Sequence, residues 1–506
     1  MNKMLKVMFL CICSLLFFLG YKAPVYKAIG TPRIKAGTTK ITGKISSPNE
    51  GHRNNRFVKV YVPHPISGET SQYEADIDEA GRFTLVVDVE TDVTLIGVRT
   101  SSKPYSTLLI KVKSGDVTNI DIKFNSNLDI EDVQTKPQMD KYETMRSWAV
   151  MGEMVGYSDG TTPTPLYDKS PDNFLNYVKA RVSKKLEILN KDSLMSKELK
   201  ELLANDFRVS IYSSYAFDYE GYMKLNYKNT AKDKTIKPTI QKIDRSYYGF
   251  LKDFNLNNPQ FLIYSSFPDF QKEILQNEII ALPKIGESNI PSWLTKAKAI
   301  LADLVGFKDG PYYDILAANA YGRQLNEEVS QLTEKQKKNI ADYWKEGEIA
   351  KVLLRKNQAV VELEKFKSSS AVGDVSAVAD DKVIETIIAK HKGKAVLIDL
   401  WATWCSPCLD AMTQFRSTKN RFKDKEVSFV YLTNGSSPRK LWEEKIKGIG
   451  NEHYYLSSSQ WEYVMNKYQF KYIPSYILYN KKGVLINKFS AFPGSEEVKK
   501  MIDGLL

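Results

Sequence analysis

The chain has 506 residues, of which 42% are hydrophobic and 26% charged, with a formal net charge of +12. This length exceeds what one hydrophobic core supports, so several domains are expected, and the composition excludes a disordered chain. Lys and Arg are spread among many acids, with no basic helix and no aromatic–arginine run, so the positive charge reads as solvated surface and nucleic-acid binding is not expected.

The N-terminus has the form of an address. "MNKMLK" gives a positive start, and Val7–Leu19 is an apolar run shorter than the roughly 20 residues that span a bilayer. Residues 1–23 are predicted to be a signal peptide that sends the protein to the periplasm or cell envelope, with an uncleaved membrane anchor as the alternative. Cys11 and Cys13 follow Leu10 and Ile12, not the small residue of a lipobox, so no lipid anchor is expected.

Residues 38–126 hold seven strand-like runs, from "KITGKIS" through "RFVKVYV", "SQYEADID", "RFTLVVDV", "VTLIGVRT" and "STLLIKVK" to "VTNIDIKF", divided by turn signals such as "EAGR" and "KSGD". A β-sandwich is predicted. "DIDEAGRF" reads as a hairpin and resembles the carboxypeptidase-regulatory-like modules of exported proteins. His64, between two prolines, reads as a loop residue.

Residues 138–367 read as an α-helical domain. "SPDNFLNYVKARVSKKLEIL" opens with a Ser170 cap and Pro171, and sets Phe174, Tyr177, Val178, Val182 and Leu186 on one stripe. Thr333 and Gln336 have capping-box spacing. The many aromatic residues here are expected to pack a core. "KSSSAVGD" (Lys367–Asp374) reads as a linker to a last unit, residues 373–506.

With two of the four cysteines inside the predicted signal peptide, the mature chain keeps Cys405 and Cys408. A loop this short restrains little unfolded-chain entropy, so the pair is a poor structural staple. Structural zinc needs four ligands, and His52, His64, His391 and His453 are scattered, so no metal site is predicted. Leu409 occupies the place where c-type haem attachment needs His. Thiol–disulfide exchange remains. Ala395–Leu400 reads as a buried strand, and from Ser406 onward Cys408, Ala411, Met412, Phe415 and Phe422 recur at helical spacing. Pro407 suits a first helical turn, which puts Cys405 at a helix N-terminus, where exposed N–H groups favour a thiolate.

"DLWATWCSPC" resembles the active-site stretch of the thioredoxin superfamily. The strand Val427–Thr433, helices near Leu441 and from Ser459, "YIPSYILYNKKGVLINKF" and a helix from Ser495 are similar to its TlpA/ResA-like branch, with an insertion in Ser436–Phe470. The resemblance covers about residues 373–506 and implies a C-terminal α/β thioredoxin-like fold in a multidomain protein. It also implies an exported thiol–disulfide oxidoreductase without cofactor, acting on protein substrates with disulfides or thiols. Most such proteins are reductases supplied by a membrane thiol carrier, and some prepare apocytochromes c for haem attachment. Cys405 and Cys408 would be the redox-active disulfide. Pro474 would be the cis-proline that seats substrate, Asp399 the buried acid that exchanges a proton with Cys408, and Trp404 and Trp401 shields of the site. A disulfide oxidase or isomerase is the alternative activity. A binding or scaffold protein with a redox-sensing appendage is the alternative class.

Overall fold

The computed structural model describes residues 30–48, 56–156, 164–235, 238–364, 369–422 and 425–506. The predicted signal peptide, with Cys11 and Cys13, lies outside the described residues.

Eight strands come first: β1 (Ile34–Ser46), β2 (Phe57–His64), β3 (Glu69–Asp76), β4 (Arg82–Thr91), β5 (Val93–Thr100), β6 (Lys103–Lys113), β7 (Val117–Phe124) and β8 (Ile130–Lys136). They form two four-stranded sheets, ordered β4-β1-β7-β8 and β3-β2-β5-β6. Apolar residues alternate along the strands, so each sheet has one buried face, and Ile41 and Val87 of one sheet share a buried cluster with Val60 and Ile110 of the other.

Three expectations change here. An eighth strand, β8, escaped notice because "IEDVQTK" is an edge strand with one fully buried residue, Val133. "DIDEAGRF" is not a hairpin: Asp78 and Arg82 hold a tight turn, but β3 pairs with β2 and β4 with β1, so the chain changes sheets there. His64 is not in a loop. It ends β2, buried, with Nδ1 3.7 Å from Glu90 Oε1.

The middle of the chain is helical: α1 (Lys141–Gly156), α2 (Pro171–Lys191), α3 (Lys197–Ile211), α4 (Tyr219–Thr230), α5 (Phe267–Gln276), α6 (Ile290–Val305), α7 (Pro311–Arg323), α8 (Glu334–Trp344) and α9 (Glu348–Glu364). The Ser170 cap with Pro171 and the Thr333/Gln336 capping box form as the sequence indicates. The aromatic residues pack inward; Phe174, Phe207, Tyr248, Phe270 and Trp293 belong to one large cluster. The turn after β2 plugs into that cluster through Ile66. Glu90 accepts from the Ile66 and Ser67 amides, and the Asn319 side chain donates to the carbonyls of Pro65 and Ile66, so the inserted turn keeps its backbone groups paired.

The last part is an α/β layer: β9 (Ser370–Gly373), α10 (Val383–Ala389), β10 (Ala395–Leu400), α11 (Ser406–Asn420), β11 (Val427–Asn434), α12 (Arg439–Ile449), β12 (Asn451–Leu456), α13 (Ser458–Lys467), β13 (Ser475–Tyr479), β14 (Leu485–Ser490) and α14 (Ser495–Asp503). The sheet order is β14-β13-β10-β11-β12-β9, with β10 at the centre between parallel β11 and antiparallel β13. Every residue of β10 is buried because helices cover both faces. Leu397 and Trp401 face the cluster holding Phe415, Trp442 and Ile502; Val396, Ile398 and Leu400 face the one holding Ile384 and Val464.

Two corrections follow. Ser370–Gly373, read as linker, is an edge strand paired with β12, and at Gly373 a Cβ would come within 2.2 Å of the Tyr454 ring, so glycine lets the strand close against it. The "NEHYYL" strand β12 lies in the stretch read as an insertion; its polar residues hide the alternation that marks a strand.

Candidate active site

Strand β10 carries the chain into the centre of the sheet, and the following loop, Trp401–Cys405, turns it into α11. Cys405 is the N-cap of that helix and Pro407 lies in its first turn. Cys405 and Cys408 form a disulfide with Cα atoms 5.3 Å apart. The Cys408 amide donates to the Cys405 carbonyl at 3.0 Å and also to Cys405 Sγ at 3.2 Å, so one N–H of the first turn is shared with this sulfur. Such a donor, with the helix dipole, stabilises a thiolate on Cys405 after reduction. Both cysteines are buried, Cys405 at 3% exposure and Cys408 at 0%, so Cys405 is the nearer of the two to the surface.

The other sequence-predicted residues fall around this pair. The Ile473–Pro474 peptide is cis. Ser475 pairs with Leu400, which sets Pro474 at the level of Trp401, at the start of the cysteine loop. Ile473 packs on the cluster that contains both cysteines. Trp401 is buried in that cluster, a core position, whereas Trp404 is 61% exposed beside Cys405 and donates from Nε1 to Ser436 Oγ.

Asp399 is buried on the same face as Leu397 and Trp401, and burial lifts its carboxyl well above the usual range against the pull of Lys419. Its Oδ1 has no hydrogen-bond partner. It lines a cavity of about 20 Å³ with Ala411, Met412 and Phe415 of α11, the helix that carries Cys408.

Sequence reasoning missed what surrounds this acid. In the sheet Asp399 sits between Tyr431 on β11 and Tyr476 on β13. Lys419 of α11 donates to Tyr431 Oη at 3.2 Å and to the Ile449 carbonyl at 2.8 Å; burial first, then Arg416, brings its ammonium down to about 7. His453 stacks on Tyr431 with ring centroids 4.9 Å apart, and burial lowers it to about 4, so it is neutral. Ser437 also escaped notice: its Oγ accepts from the Thr403 amide at 3.0 Å and shares a hydrogen bond with Thr433, fixing the cysteine loop from β11's end. A signal for Lys419 was present, since it lies four residues after Phe415 and three before Phe422, inside the apolar stripe. Nothing local marks Ser437.

A central sheet, a buried acid, a helix-capping C-x-x-C disulfide and a cis-proline opposite its loop define a thioredoxin-like domain. The family model described as thioredoxin-like matches residues 393–485. The chain is 22% identical over 142 residues to thiol-disulfide oxidoreductase ResA of Geobacillus kaustophilus, covering 28% of this chain and 80% of that one. It is 29% identical over 101 residues to sporulation thiol-disulfide oxidoreductase A of Bacillus subtilis, covering 20% of this chain and 61%, under two thirds, of that relative. Among solved structures it is similar to the thioredoxin domain of a thiol-disulfide oxidoreductase from Bacteroides vulgatus, with 24% identity, 23% of this chain and 84% of that chain covered, and a TM-score of 0.21. The C-terminal part of the chain is similar to a thioredoxin-like family model and to ResA-like relatives, which are named thiol–disulfide oxidoreductases.

Proposed function

We propose that the protein is an exported thiol–disulfide oxidoreductase that reduces disulfides in protein clients. The observation that carries this reading is the Cys405–Cys408 disulfide at the N-terminus of α11, with Cys405 at the helix N-cap and Cys408 fully buried. In the reduced enzyme the Cys405 thiolate attacks one sulfur of a client disulfide, and the other client sulfur leaves as thiolate. Cys408 then gives its proton to Asp399 and attacks Cys405 Sγ; the enzyme disulfide forms and the second client thiolate leaves. A thiol donor at the membrane returns two electrons to the pair. Pro474 seats the client backbone beside the loop, and exposed Trp404 covers the approach to Cys405.

Upstream, the two sheets read as a β-sandwich spanning residues 38–126, extended to β8, and residues 138–367 as a helical unit. β9 joins the redox domain, which moves its start to Ser370 or before. The export reading rests on the apolar run Val7–Leu19.

Insulin reduction by the full chain with a small dithiol as donor tests the function. Reduction that disappears in Cys405→Ser supports it; an inert wild-type protein with both thiols intact contradicts it. The potential of the couple fixes direction: a value near about −270 mV marks a reductase and one near about −120 mV an oxidant.

A further inference from the structure

At the end of the sheet opposite the disulfide, the turn from α10 to β10 meets the turn from β13 to β14, and the Gly393 amide donates to the Lys481 carbonyl at 3.2 Å. Between them lies an open pocket of about 450 Å³ with Ile384, Ile388 and Tyr479 as its apolar lining. Lys392, Lys394 and Lys482 line it too. All three are exposed, and none forms an ion pair among the described residues. The other charges there are already matched. Glu385, the one carboxylate among the described lining residues, pairs with Lys382 at 3.0 Å, Lys481 pairs with Glu426 at 2.6 Å, and His391 faces Glu452 at 3.1 Å.

The β13–β14 turn is held firmly. The Asn480 side-chain oxygen accepts from the Lys482 and Val484 amides at 2.9 and 3.0 Å, and Gly483 takes a positive φ of 73°. Lys482 is thereby kept beside Val484, Leu485 and Ile486, which are 54%, 42% and 49% exposed. β14 is an edge strand, and successive strand side chains point to opposite faces, so this apolar group flanks the edge on both sides. Unmatched cations repel one another and exposed apolar side chains are costly in water; neither feature serves the fold.

We propose that this end of the redox domain docks on an anionic lipid surface. Headgroup phosphates take Lys392, Lys394 and Lys482, while Val484, Leu485 and Ile486 enter the boundary between headgroups and acyl chains. Charge complementarity selects an anion, and the two-sided apolar edge selects lipid. A protein groove matches one defined face, whereas a lipid layer deforms around both. The disulfide loop, beyond the other end of β10, stays clear of the lipid.

Co-sedimentation of the full chain with vesicles tests this, comparing equal parts phosphatidylcholine and phosphatidylglycerol with phosphatidylcholine alone. The apolar run Val7–Leu19 is common to every variant, so differences between variants do not come from it. The wild-type chain should prefer the anionic vesicles, and added salt should weaken that preference. Lys392→Gln, Lys394→Gln and Lys482→Gln together should weaken binding to anionic vesicles about 10²-fold. Leu485→Ser with Ile486→Ser should weaken it about tenfold. The same charge change at Lys228, Lys232 and Lys234, exposed lysines at and after the end of α4, should leave it nearly unchanged. Equal loss from both lysine sets would reduce the binding to net charge and overturn the proposal, as would equal binding to the two kinds of vesicle. Binding to polyglutamate but not to vesicles, lost in the first lysine variant, would give the face to an acidic protein and overturn it as well. Insulin reduction should stay at the wild-type level in all these variants, so failure of the docking is read separately from failure of the redox function.

Discussion

Two buried carboxylates in this chain meet buried lysines and come to opposite ends. Glu327, in the π-helical turn after α7, lies 3.0 Å from Lys272 and forms a direct ion pair with Lys445 of α12, a side chain 4% exposed. Burial alone would raise its carboxyl, but two cations in contact outweigh this and hold it well below the ordinary range. Close by, Glu444 pairs with Arg323 at 2.8 Å and Lys284 at 2.9 Å, and a Cβ on Gly448 would meet the Glu327 carbonyl at 2.2 Å. This cluster pins the redox domain to the helical region. Asp399 has a buried lysine near but no direct pair, and burial holds its carboxyl well above the usual range. Contact makes a charge structural, whereas separation leaves it free to titrate.

The largest effect should come from breaking the first cluster. Glu327→Ala leaves buried Lys445 and half-buried Lys272 without their carboxylate and should cost about 3–5 kcal/mol, read by denaturant unfolding. Asp399→Asn should do the reverse. With an unpaired buried carboxyl replaced by a neutral amide, the fold stays as stable or becomes more so, while resolution of the mixed disulfide at neutral pH slows about 10²-fold. A destabilised Asp399→Asn domain with normal turnover would make Asp399 a structural acid like Glu327.

The two sites also carry opposite pH signatures. Glu327 is depressed in the fold, so its contribution is present above the unfolded value of about 4.3 and is lost as pH falls below it. Asp399 is raised, so the folded protein holds a proton that the unfolded chain gives up. Its contribution is present below about 3.9 and is lost as pH rises toward the folded value. Glu327→Gln should therefore flatten the acid side of the stability curve, and Asp399→Asn should flatten the loss above about pH 4. A smaller effect is expected at Ser437, where Ser437→Ala leaves the buried Thr403 amide unpaired. That costs about 1–3 kcal/mol, read as a lower unfolding midpoint.

The contrast also explains what could be read from the chain alone. Cys405 and Cys408 could be read from their spacing and the helical pattern that follows, whereas Asp399, within ten residues of Cys408 on the same strand–loop–helix, took its role from the family resemblance. Pro474 needed the family resemblance, because nothing near it points to Leu400. Lys419 was visible as a cation in an apolar stripe, but its neighbours Tyr431 and Tyr476 are set by sheet register. The Glu327–Lys445 pair joins residues 118 apart and leaves no local trace. Strands β8 and β12 were hidden by their polarity, since edge and half-solvated strands need little apolar alternation. At "DIDEAGRF" the turn chemistry was right but partner choice was not, because a turn fixes the reversal of the chain and leaves the choice of sheet to core packing.

The division of labour between the two sulfurs is tested most directly by trapping. The full chain carrying Cys408→Ser, incubated reduced with disulfide-bearing client protein, should accumulate mixed disulfides through Cys405, while Cys405→Ser should accumulate almost none. Equal trapping by the two variants would contradict the assignment of Cys405 as the attacking sulfur.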